Sequence, residues 1–129
     1  MTQSELQDIA SRKLGTSLSA TADKYCTFDA YDDAYVVEFK CRRTHYDTQM
    51  IEHKKFTANL EEANSSGKEF LYIISTPSGE YIFNVSKLAS DDYDFAWEDR
   101  RLPSHTDFAG ATHKDKRVGY IDVKSSSEY

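Results

Sequence analysis

The sequence contains no run of eighteen or more apolar residues, and its opening stretch, MTQSELQDIASRK, lacks the apolar centre of a secretory leader. Neither a membrane-spanning helix nor export is expected, so the chain reads as an intracellular, cytoplasmic protein. Cysteine is scarce, with only Cys26 and Cys41. Two thiols without a ligand-spaced partner set point to reduced, buried side chains rather than a disulfide or a zinc cluster. His45, His105 and His113 have no ligand spacing among them, which argues further against zinc. Basic charge is not in excess either: the formal net charge is −6, which speaks against a protein that coats nucleic acid non-specifically. Internal repeats are absent.

What is present suits one ordinary domain. A chain of 129 residues with 39% hydrophobic content can bury a single core without staples, and we read one domain over 1–129. Its core is expected over about 1–85, joined by a C-terminal strand at about 117–123. The charge is uneven. Lys40, Arg42, Arg43, Lys54 and Lys55 outweigh Asp47 and Glu52 between positions 40 and 55, whereas Asp91, Asp92, Asp94, Glu98 and Asp99 concentrate acid elsewhere. A basic face can coexist with an acidic back.

Periodicity gives the order of elements. Thr2 and Glu5 form a capping box, and Leu6, Ile9, Ala10 and Leu14 then recur at helical spacing up to Gly15. Lys24 to Ala30 and Ala34 to Cys41 read as two strands of a hairpin turning at Tyr31, Asp32 and Asp33. From Thr44 onward, Tyr46, Gln49, Met50, His53, Phe56, Thr57, Leu60 and Ala63 fall on one side of a helix that ends at Gly67. Strands at 69–75 and 80–85 flank a tight turn, residues 86–116 look irregular, and 118–123 adds a last strand. The expected class is mixed α/β, helices covering a small sheet.

The strand from Ala34 to Lys40 alternates, placing Val36, Glu38 and Lys40 on one face. With a turn centred on Asp32 and Asp33, Asp29 lies opposite Val36, on the Glu38 face and one diagonal step away. Two carboxylates so close repel unless a proton or cation intervenes, and magnesium readily takes a pair of carboxylates together with waters and substrate phosphate. Lys40 would then orient the nucleophile or neutralise the transition state. A solvated hairpin is the plainer reading of an isolated E-x-K.

Phe28-Asp29-Ala30, the short turn and Tyr35-Val36-Val37-Glu38-Phe39-Lys40-Cys41-Arg42 resemble the D…(D/E)-x-K core of the PD-(D/E)XK nuclease superfamily. Phe28 stands where the motif's proline would be, and the resemblance covers roughly residues 24–64. It implies a restriction-endonuclease-like mixed β-sheet flanked by helices. It also implies Mg2+ or Mn2+ held by Asp29, Glu38 and the Phe39 main-chain carbonyl, with Lys40 as the catalytic lysine. In such nucleases a glutamine or lysine from the next helix reaches the site, which nominates Gln49 first and His53 second. An acidic residue of the first helix does so in part of the superfamily, which nominates Glu5, although an exposed capping-box role competes. Arg42, Arg43, Lys54 and Lys55 are candidates for phosphate contact, the two lysines on the helix side away from the sheet.

The expected activity is metal-dependent hydrolysis of phosphodiester bonds, in DNA of phage, recombination or repair contexts. A domain this small has little room for a base-reading module, which favours branched or single-stranded DNA over a fixed sequence. Cutting both strands symmetrically would call for a homodimer. The competing readings are a non-catalytic nucleic-acid or protein-binding module that keeps the fold, and an acidic protein-interaction domain.

Overall fold

Local signals at the N-terminus work as written in the sequence. In helix α1 (Gln3–Leu14), the Thr2 hydroxyl accepts from the Glu5 N–H and the Glu5 carboxylate accepts from the Thr2 N–H, both at 3.1 Å. Gly15 closes the helix in the left-handed region at φ 67°, where a side chain would be strained. The computed structural model describes residues 1–22, 26–103 and 113–129. Of the first strand expected over Lys24 to Ala30, residues 24–25 lie outside the described residues, 26–29 are irregular rather than strand, and Ala30 alone is in a strand.

Strands β1 (Ser19–Ala20), β2 (Ala30–Tyr31), β3 (Tyr35–Cys41), β5 (Glu69–Thr76) and β6 (Gly79–Asn84) form one sheet in the order β1-β2-β3-β5-β6. β3 and β5 run parallel, Glu38 beside Tyr72 and Lys40 beside Ile74, and the remaining pairs are antiparallel. A parallel pair needs a crossover, and helix α2 (His53–Ser66) lies within it. The alternation of β3 and β5 divides the core in two. Val37, Phe39, Leu71 and Ile73 pack against Leu6 and Ala10 of α1, while Val36, Phe70, Tyr72 and Ile74 join Ala63 of α2. The sheet is therefore covered by a helix on each face.

A second, three-stranded sheet corrects the expected long helix. Residues 48–52 are not helical: they form β4 (Thr48–Glu52), which pairs antiparallel with β8 (His113–Asp122), and β8 pairs in turn with β7 (Glu98–Pro103). Ile51 of β4 and Ile121 of β8 are buried in the α2-side core, so tertiary burial selects the strand. Of the stretch 86–116, expected to be irregular, residues 104–112 lie outside the described residues, and the rest is more regular than expected, with a short helix α3 (Val85–Ser90), β7 and the start of β8. Cys26 and Cys41 are free thiols, and neither is buried as expected: Cys26 is half-buried and Cys41 exposed. Among the described residues no helix is long and apolar enough to cross a membrane.

Candidate active site

The turn joining β2 to β3 sets the site. The Asp32 carboxylate accepts from the N–H groups of Ala34 and Tyr35 at 2.8 and 2.7 Å, and the Asp32 N–H donates to the Tyr35 carbonyl at 3.1 Å. The turn thus sits one residue later than a centre at Asp32 and Asp33, and the pairing shifts by two: Tyr31 faces Val36 and Ala30 faces Val37. A two-residue shift preserves the face. Asp29, one residue before β2, comes beside Glu38 instead of Val36, and its N–H donates to the Val37 carbonyl at 2.8 Å.

Asp29 is held from several sides. Its Oδ2 accepts from the Phe39 N–H at 2.8 Å, and its carbonyl accepts from the Thr21 N–H at 3.0 Å. The N–H and carbonyl of one strand residue point the same way, so the Phe39 carbonyl also lies on the Asp29 side of β3, past the last β2 pair.

Glu38 is only 2% exposed. Its Oε1 accepts from Lys55 Nζ at 2.7 Å and its Oε2 from Asn59 Nδ2 at 3.3 Å. Burial pushes the Glu38 carboxyl above its ordinary range, against the pull of Lys55 and Lys40; the Asp29 charge adds a smaller upward push. Lys40 is half-buried, and burial, followed by the nearby Lys55 charge, lowers its ammonium from the usual lysine value. For Lys55 burial acts downward too, but the hydrogen bond and charge of Glu38 outweigh it and hold that ammonium up.

Several expected placements change. Gln49 does not approach Glu38 from a helix: it is buried on β4, where its Nε2 donates to the Tyr46 carbonyl at 2.8 Å. Lys55, expected on the solvent side, faces the sheet, because α2 starts at His53 and its phase is set from there. Lys54 is exposed. His53 packs edge-on against Trp97 at 4.7 Å between ring centres, and lies beside Phe56. The Arg42 guanidinium donates to Tyr72 Oη and the Met50 carbonyl, both at 3.4 Å, so it is engaged within the fold, whereas Arg43 is exposed. Glu5 keeps its capping-box role on the helix that covers the opposite sheet face.

Asn59 was not anticipated. It is 0% exposed, and its Nδ2 also donates to the Thr27 carbonyl at 3.1 Å, linking the segment before Asp29 to Glu38. Its Oδ1 is buried without a hydrogen-bond partner. The signal available was the four-residue spacing of Lys55 and Asn59, which shares one helix face only once the helix start is known.

Asp29, Glu38 and the Phe39 carbonyl are hard oxygen donors, while Asn59 turns its amide nitrogen toward Glu38. That donor chemistry fits magnesium or manganese and does not fit zinc. Among the described residues no group of three or more His, Cys, Asp or Glu side chains gathers to hold a metal ion, and at this site the side-chain carboxylates number two, Asp29 and Glu38.

A mixed sheet with parallel β3 and β5 at its centre, an antiparallel β2–β3 hairpin and a helix on each face is a restriction-endonuclease-like fold. Among solved structures, the chain is similar to the 1.6 Å structure of Hjc, a Holliday junction resolvase from the archaeal hyperthermophile Archaeoglobus fulgidus. The match covers 97% of this chain and 89% of that one, with a TM-score of 0.56 and 15% identity. No family model and no curated protein sequence matches.

Proposed function

We propose that this protein is a divalent-metal-dependent nuclease that hydrolyses phosphodiester bonds in DNA. The observation that carries the reading is the convergence of Asp29, buried Glu38 and Lys40 on one face of the β2–β3 hairpin, in a resolvase-like fold. Asp29, Glu38 and the Phe39 carbonyl would hold the ion, which when bound supplies an acidified water and offsets charge on the scissile phosphate. The chain's own contribution is position. The Phe39 N–H fixes the Asp29 carboxylate and Asn59 fixes Glu38, so the two ligands need not reorganise when substrate arrives. Lys40, two residues beyond Glu38 on the same face, would donate to the attacking water or to the phosphate. In the overall reaction, water bonds to phosphorus as the bond to the leaving oxygen breaks, and that oxygen gains a proton.

Branched DNA is the substrate class we favour, from the likeness to a junction resolvase and the small size of the chain. A two-fold dimer acting in the cytoplasm would supply a second site for the opposite strand. One observation favours the non-catalytic alternative: both Glu38 oxygens already accept from protein donors. Labelled four-way junction, flap, single-stranded and linear duplex DNA, each with magnesium or manganese, separate the two readings. Cleavage of the junction is expected, and Asp29→Ala and Lys40→Ala should each reduce it on the order of a hundred- to a thousandfold while circular dichroism stays unchanged. Binding without metal-dependent cleavage of any substrate would select the module instead.

A further inference from the structure

Two neighbouring carboxylates on a partly buried hairpin need a positive charge between or beside them. In this fold the chain supplies one itself. Lys55 Nζ lies 2.7 Å from Glu38 Oε1, and the two side chains differ sharply in exposure, 35% for Lys55 against 3% for Glu38. Glu38 cannot move away, since it sits on the central strand with its other oxygen bonded to wholly buried Asn59. The orientation of that amide is fixed by its neighbours: the Thr27 carbonyl and Glu38 Oε2 are both acceptors, so the nitrogen must face them. Lys55 has no such restraint. It stands in the first turn of α2, and its flexible, partly exposed stem lets the ammonium leave toward water.

We propose that Lys55 is a built-in occupant of the cation position at Glu38, which an incoming divalent ion must displace, while Asn59 stays and keeps the carboxylate oriented. The inference rests on the metal-site reading above. An ammonium in contact with Glu38 Oε1 and a divalent ion on the same carboxylate repel each other strongly in a water-poor site, so the two occupy it in turn. The exchange has a directional consequence. Without metal the pair neutralises Glu38 and holds α2 against the hairpin; with metal, the released Lys55 ammonium lies at the rim of the site, where it can meet a DNA phosphate. The phosphate contact expected of Lys55 from the sequence thus becomes conditional on metal, and it comes from the sheet-facing side of the helix instead of the solvent side.

Manganese binding to metal-free protein, measured by calorimetry without nucleic acid, tests the exchange. Lys55→Gln removes the competitor while keeping a hydrogen-bond donor, and Lys54→Gln removes the same charge from the adjacent exposed position. Binding by Lys55→Gln is expected to be at least about tenfold tighter than in the wild type, and by Lys54→Gln less than about threefold tighter. Wild-type binding with Lys55→Gln no tighter than Lys54→Gln overturns the exchange and leaves the metal site standing. No binding to either protein, together with no cleavage of any DNA, removes the site and the proposal at once. Should Lys55→Gln fail to fold, the side-chain ammonium resonance of Lys55 in the wild type decides. Loss of its protection in step with added magnesium supports displacement, and an unmoved, still-protected signal at saturating magnesium overturns it.

Discussion

Glu38 concentrates the electrostatic strain of this fold. Burial raises its carboxyl above the ordinary value of 4.5, so between that value and its folded one the native state holds more proton than the unfolded chain. Stability then falls as pH rises through that window, and the penalty persists above it. Metal-free protein is therefore expected to lose melting temperature through this residue as pH rises above 4.5, and Glu38→Gln should flatten that part of the profile. A wild-type slope unchanged in Glu38→Gln would assign the dependence to other groups. Glu52 acts in the opposite sense. Burial alone would raise it, but the Lys116 ammonium at 2.8 Å, with Lys55 and Lys40 behind, outweighs burial and lowers it. Its contribution is present above 4.5 and is lost as pH falls through its folded value, so Glu52→Gln should cost stability at neutral pH and little in acid.

At the scale of elements, the second sheet depends on one missing side chain. Gly119 of β8 lies beneath Trp97, and a Cβ there would come within 2.7 Å of the indole ring and 3.0 Å of Phe95 Cβ. Trp97 itself is wedged among His53, Phe56 and Phe95, so it has little room to yield. Gly119→Ala is expected to destabilise the protein by about 1 to 3 kcal/mol, the usual range for overpacking. In denaturant unfolding, a Trp97→Leu background should absorb much of that loss, and full additivity of the two substitutions would contradict the contact. The sequence announces this region poorly. β3 is legible because Val36, Glu38 and Lys40 alternate with Val37 and Phe39, and α1 is legible from its cap and its glycine stop. β4 is not, since Gln49 and Ile51 fit a strand period while Gln49, His53 and Phe56 fit a helical one over the same short window. Only burial of Ile51 against the core decides between them. β7 and the first half of β8 carry charged residues, with Asp99 facing Arg117 and Arg101 facing Asp115, so they lack the apolar alternation that marks a strand. Asp29, Glu38 and Lys40 could be brought together from the sequence because one hairpin carries them all. Lys55 and Asn59 could not, because their direction depends on where α2 begins.

For the molecule as a whole, the net charge of −6 limits how DNA would be held under the proposed nuclease function. A chain that is acidic overall cannot rely on a diffuse basic surface, so binding must come from a few cations clustered near the site. Several basic residues are already committed: Lys55 to Glu38, Lys116 to Glu52 and Arg42 to Tyr72 and Met50. Arg43 and Lys54 are exposed, close in sequence to the elements that carry the site. Each phosphate neutralised contributes about −0.9 to the slope of log K against log salt on duplex DNA. If the contacts are limited to Arg43, Lys54 and a few further cations beside the site, that slope should be shallow for one protomer, roughly −2 to −4, far from the value of a protein that coats DNA. Lys54→Ala and Arg43→Ala should each make the slope shallower by about 1 and weaken binding to different sequences uniformly, as expected for phosphate contacts. Fluorescence anisotropy with a labelled junction across a salt series measures this directly. A steep wild-type slope, or one untouched by both substitutions, would place the DNA on a different face from the Asp29–Glu38 hairpin.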